Sequence, residues 1–318
     1  IQAVKWIEPS FGGINLEDFS KPKCFYILDR LRKEMNIPVW HDDQQGTAAV
    51  ILAGVMNALK IVGKKMDEAK FTIVGCGSAN TRTFYVLEAA GVNTKNVTVV
   101  DSKGILAQSR KDLEGTYKWD ITLKTNPEGK TGGIKEAMEE SDIAIAASKP
   151  GPGTIKPEDL SGMADDAILF ACANPIPEIW PWEAKEAGVK IMATGRSDFP
   201  NQVNNSLVFP AIFRGALDVR AKTITDEMCI SSASELAKYA EDKGLNEEYI
   251  IPTMQEWEIY PRQAVATGIK AIEQGVARKK LSRQELYERA ESIIKRTQDI
   301  VSLLMRQGFI ASPPPEPA

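Results

Sequence analysis

From residue 71 onward, short apolar stretches alternate with helical ones, and this rhythm limits the possible folds more than any other feature of the chain. Strands are expected at 71–74, 96–100, 143–147, 167–172 and 190–193, with helices at 78–90, 134–140 and 182–187. Such alternation builds a parallel sheet with helices on both faces, because every crossover must return to the same end of the sheet. Ligands then bind beyond the carboxyl ends of the strands, where Gly75, Asp101, Ser148, Asn174 and Gly195 fall. Residues 47–62 are apolar nearly all round. At 16 residues they are too short to cross a bilayer and read as a buried core helix. Earlier, a helix is expected over 22–35 and a strand at 37–40. Past residue 205 the pattern turns helical, at 209–219, 231–243, 262–273 and 285–306. The last is preceded by Ser282 and Glu285 at capping-box spacing.

The fold class is therefore α/β, a doubly wound parallel-sheet (Rossmann-type) unit at 42–204. A partial second lobe, rich in helices, is expected from 1–41 and 205–310. Proline-rich residues 311–318 read as a disordered tail. With 318 residues, 43% of them hydrophobic, the chain can build a sizeable core. A net charge of −4 argues against nucleic acid as a partner. Cys24, Cys76, Cys172 and Cys229 are scattered, without a C-x-x-C pair. Neither a zinc site nor a disulfide framework is indicated, and a cytoplasmic location is expected. No apolar run reaches membrane-spanning length, so no membrane partner is expected. The chain opens on Ile1 without a methionine, and a loss of preceding residues is the expectation.

The strand at 71–74 runs into Gly75-Cys76-Gly77-Ser78-Ala79-Asn80, a glycine turn that opens a helix. It supplies two of the three glycines of a dinucleotide fingerprint. The first makes the tight turn, and the second lets the backbone approach a pyrophosphate at the positive end of the helix. Asn80 stands where the third glycine would assist helix–strand packing. Asp101, at the end of the next strand, is placed to accept from an adenosine ribose, which favours NAD. Lys103 could instead pair with a 2′-phosphate, which favours NADP. The sequence leaves both open.

Two acidic pairs precede this unit, Glu17-Asp18 and Asp42-Asp43, each at the end of an apolar run. Such carboxylates are either solvated in turns, or they pair, protonate or bind a cation. All-oxygen ligation suits Mg²⁺ or Mn²⁺. Asparagines follow two later strands, one within 173–177 and three within 194–206, where they either make turns or hold a carboxylate or carboxamide without adding charge. His41, the only histidine, reads as structural.

Taken together, residues 11–19, 37–48, 173–179 and 193–205 resemble the signature blocks of the malic enzyme family, in order and spacing, and look most like its shorter microbial branch. The resemblance covers about residues 7–240. It implies oxidative decarboxylation of malate to pyruvate and CO₂ with NAD or NADP and Mn²⁺ or Mg²⁺, in a homodimer or higher homo-oligomer. It implies metal ligands at Glu17, Asp18 and Asp43, with Asp42 beside the metal near the substrate hydroxyl. Asn174 and Asn205 would contact substrate carboxylate and Asn204 the nicotinamide side. Gly75, Gly77, Ser78, Asn80, Asp101, Lys103 and Ser148 would line the cofactor groove. The family's tyrosine acid, lysine base and substrate arginine match nothing in this sequence, so weak or absent turnover by the chain alone is expected. Malolactic chemistry, a non-catalytic dinucleotide-binding module and another hydroxy-acid or amino-acid dehydrogenase are the alternatives. The paired acids argue against the last.

Overall fold

A computed structural model describes residues 1–311. The helices are α1 (Gln2–Ile7), α2 (Lys23–Glu34), α3 (Thr47–Ile61), α4 (Ser78–Ala89), α5 (Trp119–Lys124), α6 (Ile134–Met138), α7 (Pro157–Leu160), α8 (Pro181–Glu186), α9 (Phe209–Asp218), α10 (Asp226–Lys243), α11 (Ile259–Glu273) and α12 (Arg283–Arg306). The strands are β1 (Ile14–Leu16), β2 (Val39–His41), β3 (Phe71–Val74), β4 (Val97–Asp101), β5 (Gly104–Ile105), β6 (Ile143–Ala146), β7 (Ile168–Ala171) and β8 (Ile191–Thr194).

Six strands form the main sheet in the order β5-β4-β3-β6-β7-β8. All neighbours are parallel except β5, which folds back on β4. Strands β3, β6, β7 and β8 are buried at every position, as a sheet covered on both faces requires. The chain leaves β3 towards β4 on one side and returns to β6 on the other. The topological switch point therefore lies between β3 and β6, where open α/β sheets bind their ligands. Register across that point is fixed by Val74 opposite Ala146, so Gly75 and Ser148 emerge side by side.

Helix α3 is buried along nearly its whole length. It packs against α4 and α10, and the C-terminal helices share one apolar core with the sheet through Ile212, Met228, Leu236 and Ile259. Residues 205–310 also touch the N-terminal segment, where Arg32 donates to the Ile224 carbonyl and Arg278 to the Asn36 carbonyl. That segment carries a small core of its own, with Leu16, Leu28, Leu31, Met35 and Val39. Helix α10 starts five residues before the expected 231, because Thr225 caps it by accepting the Met228 amide. The Ser282–Glu285 capping box is present at α12. The proline-rich stretch at 312–318 lies outside the described residues. Among the described residues no helix is long and apolar enough to cross a membrane.

Candidate active site

A cavity of about 640 Å³ opens at the carboxyl ends of β3, β4 and β6. Its walls include Gly75, Cys76, Gly77, Ser78, Asp101, Ser148, Lys149 and Lys118, with Lys21 contributed by the N-terminal segment. The glycine turn shapes its floor. Gly75 has φ +94°, a conformation that costs a side-chain-bearing residue strain, and a Cβ there would sit 2.9 Å from the Ser148 Cβ. Gly77 has ordinary backbone angles and open space where its Cβ would be. A cradle left open at the Gly77 Cβ position, at the start of a twelve-residue helix, fits a pyrophosphate.

Asp101 stands in the cavity wall with its carboxylate already engaged. Arg110 donates to Oδ1 at 2.8 Å, Lys118 donates to Oδ2, and the Lys103 amide donates to Oδ1 at 2.9 Å. Burial works against the charge, but these donors outweigh it and hold the carboxyl below its ordinary range. Arg110 also pairs with Asp112 at 3.0 Å, so of these two cations Lys118 is the one that lines the cavity.

The acidic pairs meet through a second, small sheet. β1 and β2 are parallel, with Leu16 opposite His41, so Glu17-Asp18 and Asp42-Asp43 leave adjacent strands at the same level. Asp18 turns there with φ +60°, and its amide donates to Asp43 Oδ2 at 2.9 Å. Residues Asp42–Gly46 then form one π-helical turn leading into α3, a distortion common at functional positions. Gly46 permits that turn, since a Cβ there would meet Asp42 Oδ1 at 2.2 Å. Asp42 is 5% exposed. Its Oδ1 accepts the Trp40 indole N–H at 3.2 Å, and its Oδ2 accepts the Asn205 amide at 2.8 Å. Burial pushes its carboxyl up to about 6; the Trp40 bond opposes this, and the charges of Glu17 and Asp43 add to it. His41 is fully buried, and among the described residues neither ring nitrogen is hydrogen-bonded. Burial lowers its pKa, against a smaller opposing pull from Asp43.

The donor set matches the chemistry of a hard divalent ion, being carboxylate oxygen throughout. The side chains are not drawn to one point, however. Among the described residues no three or more His, Cys, Asp or Glu side chains are grouped so as to hold a metal. Glu17 is exposed, and its described bond is from Asn15 at 3.4 Å.

Comparison with known proteins gives the lineage. The model of the malic enzyme NAD-binding domain matches residues 44–131 and 134–272. The chain is 43% identical to a bifunctional malic/malolactic enzyme of Bacillus subtilis, covering 92% of this chain and 70% of that protein. It is 47% identical to an NAD-dependent malic enzyme of Geobacillus stearothermophilus, covering 88% of this chain and 57% of that protein. The crystal structure of Entamoeba histolytica malic enzyme superposes with a TM-score of 0.96 at 47% identity, covering 98% of this chain and 65% of that one. The chain belongs to the malic enzyme family. It spans between about half and somewhat over two thirds of the length of these relatives.

For this malic enzyme family chain, the structure gathers some of the expected residues and separates others. Gly75, Gly77, Ser78, Asp101 and Ser148 share one cavity. Asn80 does not face it. Its side chain is buried beneath the turn and donates to the carbonyls of Val74 and Gly75, so it braces the turn in place of the missing glycine. Lys103 also points away, pairing with Asp112 at 3.1 Å while its ammonium end stays exposed. Asn174 lies over Gly195, whose Cβ position is 2.7 Å from its Nδ2. Asn204 caps a short turn by accepting the Ser206 amide, while Asn205 reaches Asp42. Sequence reasoning missed Lys118 and Lys21, which come to the cavity from segments without a strand-end position to mark them, and Arg110, which reaches Asp101 from behind the wall.

Proposed function

We propose that this chain is the dinucleotide- and metal-binding part of an enzyme that oxidatively decarboxylates malate to pyruvate and CO₂. The observation that carries this reading is the 640 Å³ cavity at the β3/β6 switch point, with its glycine cradle and the acid-rich π-helical turn in the same fold. What supports the chemistry is membership of a family whose similar proteins are named malic enzymes. The pyrophosphate would lie on the Gly75–Ser78 turn, with Asp101 and Lys118 at the adenosine ribose and Ser148 along the groove. Bound, the nucleotide would accept hydride from C2 of the hydroxy acid. Glu17, Asp18 and Asp43 would hold Mn²⁺ or Mg²⁺, which would supply Lewis acidity at the substrate oxygens. Asp42, with its carboxyl near 6, can hold or release a proton close to neutral pH. The Asn205 amide keeps that carboxyl oriented. Asn174 would bind substrate carboxylate, and Asn204 would face the nicotinamide side. The tyrosine acid and lysine base that the family implies are assigned to no residue of this chain. A homo-oligomer and a cytoplasmic setting belong to the same proposal.

Calorimetric titration with NAD and NADP, with and without Mn²⁺, tests it. Metal-enhanced binding of one nucleotide is the expected result, and binding of neither would overturn the reading. A second reading, conversion of malate to lactate on held NAD, is favoured by the bifunctional Bacillus subtilis relative. Net accumulation of reduced nucleotide separates the two.

A further inference from the structure

Glu178 is a fully buried carboxylate whose hydrogen-bond partners among the described residues are all neutral. Burying such a group is costly unless donors replace its water. Oε1 accepts the Ser148 amide at 2.7 Å and the Ser148 hydroxyl at 3.0 Å. Oε2 accepts the Ala173 amide at 3.1 Å. The two oxygens thus hold two different loops. Ser148 follows β6, lines the cavity, and is the residue against which the Gly75 turn rests. Ala173 follows β7 and leads directly into Asn174. The backbone extends the tie: the Ile155 amide donates to the Glu178 carbonyl and the Gly151 amide to the Ile176 carbonyl, each at 3.2 Å. The loop between Ser148 and Ile155 therefore rides on residues 176–178.

We propose that Glu178 is a positioning residue that sets the nucleotide-facing Ser148 loop against the Asn174 loop. The inference rests on the reading of the cavity as a nucleotide site. Its chemistry is specific to a carboxylate. Backbone N–H groups approach both oxygens, so both must be acceptors, and a glutamine offers only one. In Glu178→Gln the amide NH₂ must face either the Ser148 or the Ala173 N–H, and one loop lets go. Shape and volume stay nearly unchanged, so the core around it persists while the loops lose their common anchor.

The test pairs calorimetric titration of NAD and NADP with hydrogen exchange and thermal melting, on the full chain and two variants. Glu178→Gln should melt cooperatively and exchange faster at 148–155 and 173–178. Its nucleotide Kd should rise about tenfold. Ser148→Ala loses the hydroxyl contact but keeps the backbone donor, and should raise Kd about two- to threefold. Faster exchange with an unchanged Kd would reduce Glu178 to a structural residue and overturn the proposal, as would unchanged exchange. Should Glu178→Gln not fold, wild-type exchange and Kd in Ser148→Ala overturn it instead. Failure of the unmodified chain to bind either nucleotide overturns the cavity reading, a distinct result visible without any variant.

Discussion

At the residue scale, Asp42 shows how a sequence position becomes a chemical group. The Asp42-Asp43 pair was visible in the chain, but apart from the family resemblance nothing in it separated the two. The π-helical turn does so: Asp42 is buried between Trp40 and Asn205, while Asp43 stays half-buried against the Asp18 amide. The raised carboxyl carries a pH signature. Below about pH 4 Asp42 is protonated in both the folded and unfolded states and adds no pH-dependent difference. Between about 4 and 6 the unfolded carboxyl ionises freely while the buried one resists, so its contribution to stability is lost over that window. Asp42→Asn abolishes this loss. Asn205 can turn its amide to meet the new NH₂, and the Trp40 N–H keeps an oxygen acceptor. In metal-free protein the variant should match the wild type near pH 4 and exceed it above pH 6, by up to about 3 kcal/mol. Urea unfolding at both pH values measures it, and equal offsets at both would mean that Asp42 is not titrating in this window. The cations near Asp101 give a second residue-scale expectation. Lys118 contacts Asp101 in the cavity wall, whereas Lys103 is turned outwards to Asp112. Lys118→Gln should weaken NADP binding about tenfold or more while changing NAD binding little, and Lys103→Gln should change neither. A loss of NADP affinity in the Lys103 variant instead would restore the simpler sequence reading.

At the scale of elements, the sheet and its helices were legible because burial on both faces forces continuous apolar strands, and amphipathic helices repeat at a different period. Strands β3, β6, β7 and β8 fall within a residue or two of their expected ends. The short edge strand β5 was not legible. Its two residues are too few to show a period, and it exists because β4 offers an open edge. The π-helical turn was equally hidden, since its residues suit an ordinary helix start. What the sequence conveyed well was the glycine turn, though not the division of labour within it. Gly75 is required by backbone conformation and by contact with Ser148, and Gly77 by neither. Gly75→Ala should therefore lower stability by roughly 1–3 kcal/mol and weaken nucleotide binding with it. Gly77→Ala should fold with wild-type stability, because its Cβ meets no protein atom, yet crowd the pyrophosphate and raise the nucleotide Kd. Thermal melts alongside nucleotide titrations separate the cases, and a destabilised Gly77→Ala with intact binding would contradict this assignment.

Across the whole molecule, the two acidic pairs belong to different bodies of packing. Glu17 and Asp18 ride on the small N-terminal core, while Asp42 and Asp43 lead into α3 and the main core. The β1–β2 pairing and the Asp18–Asp43 bond join them at the site itself. Farther away, Arg278 donates to the Asn36 carbonyl, and Arg32 to that of Ile224. These contacts clamp the N-terminal segment onto the C-terminal helices, at positions that no motif marks. The proposed metal site is thus assembled from two sides, and its carboxylates are not gathered in the structure described here. Metal affinity should depend on the clamp more than nucleotide affinity does, because the nucleotide cavity is built almost wholly on the sheet and only Lys21 reaches it from the N-terminal segment. Arg278→Ala leaves every proposed ligand in place and removes the Asn36 contact of the clamp. It should weaken Mn²⁺ binding severalfold, read as free Mn²⁺ by electron paramagnetic resonance, with nucleotide Kd changed by less than about twofold. Equal losses in both affinities would show that the two sites report on one rigid body, and that the carboxylates reach the ion by side-chain motion alone.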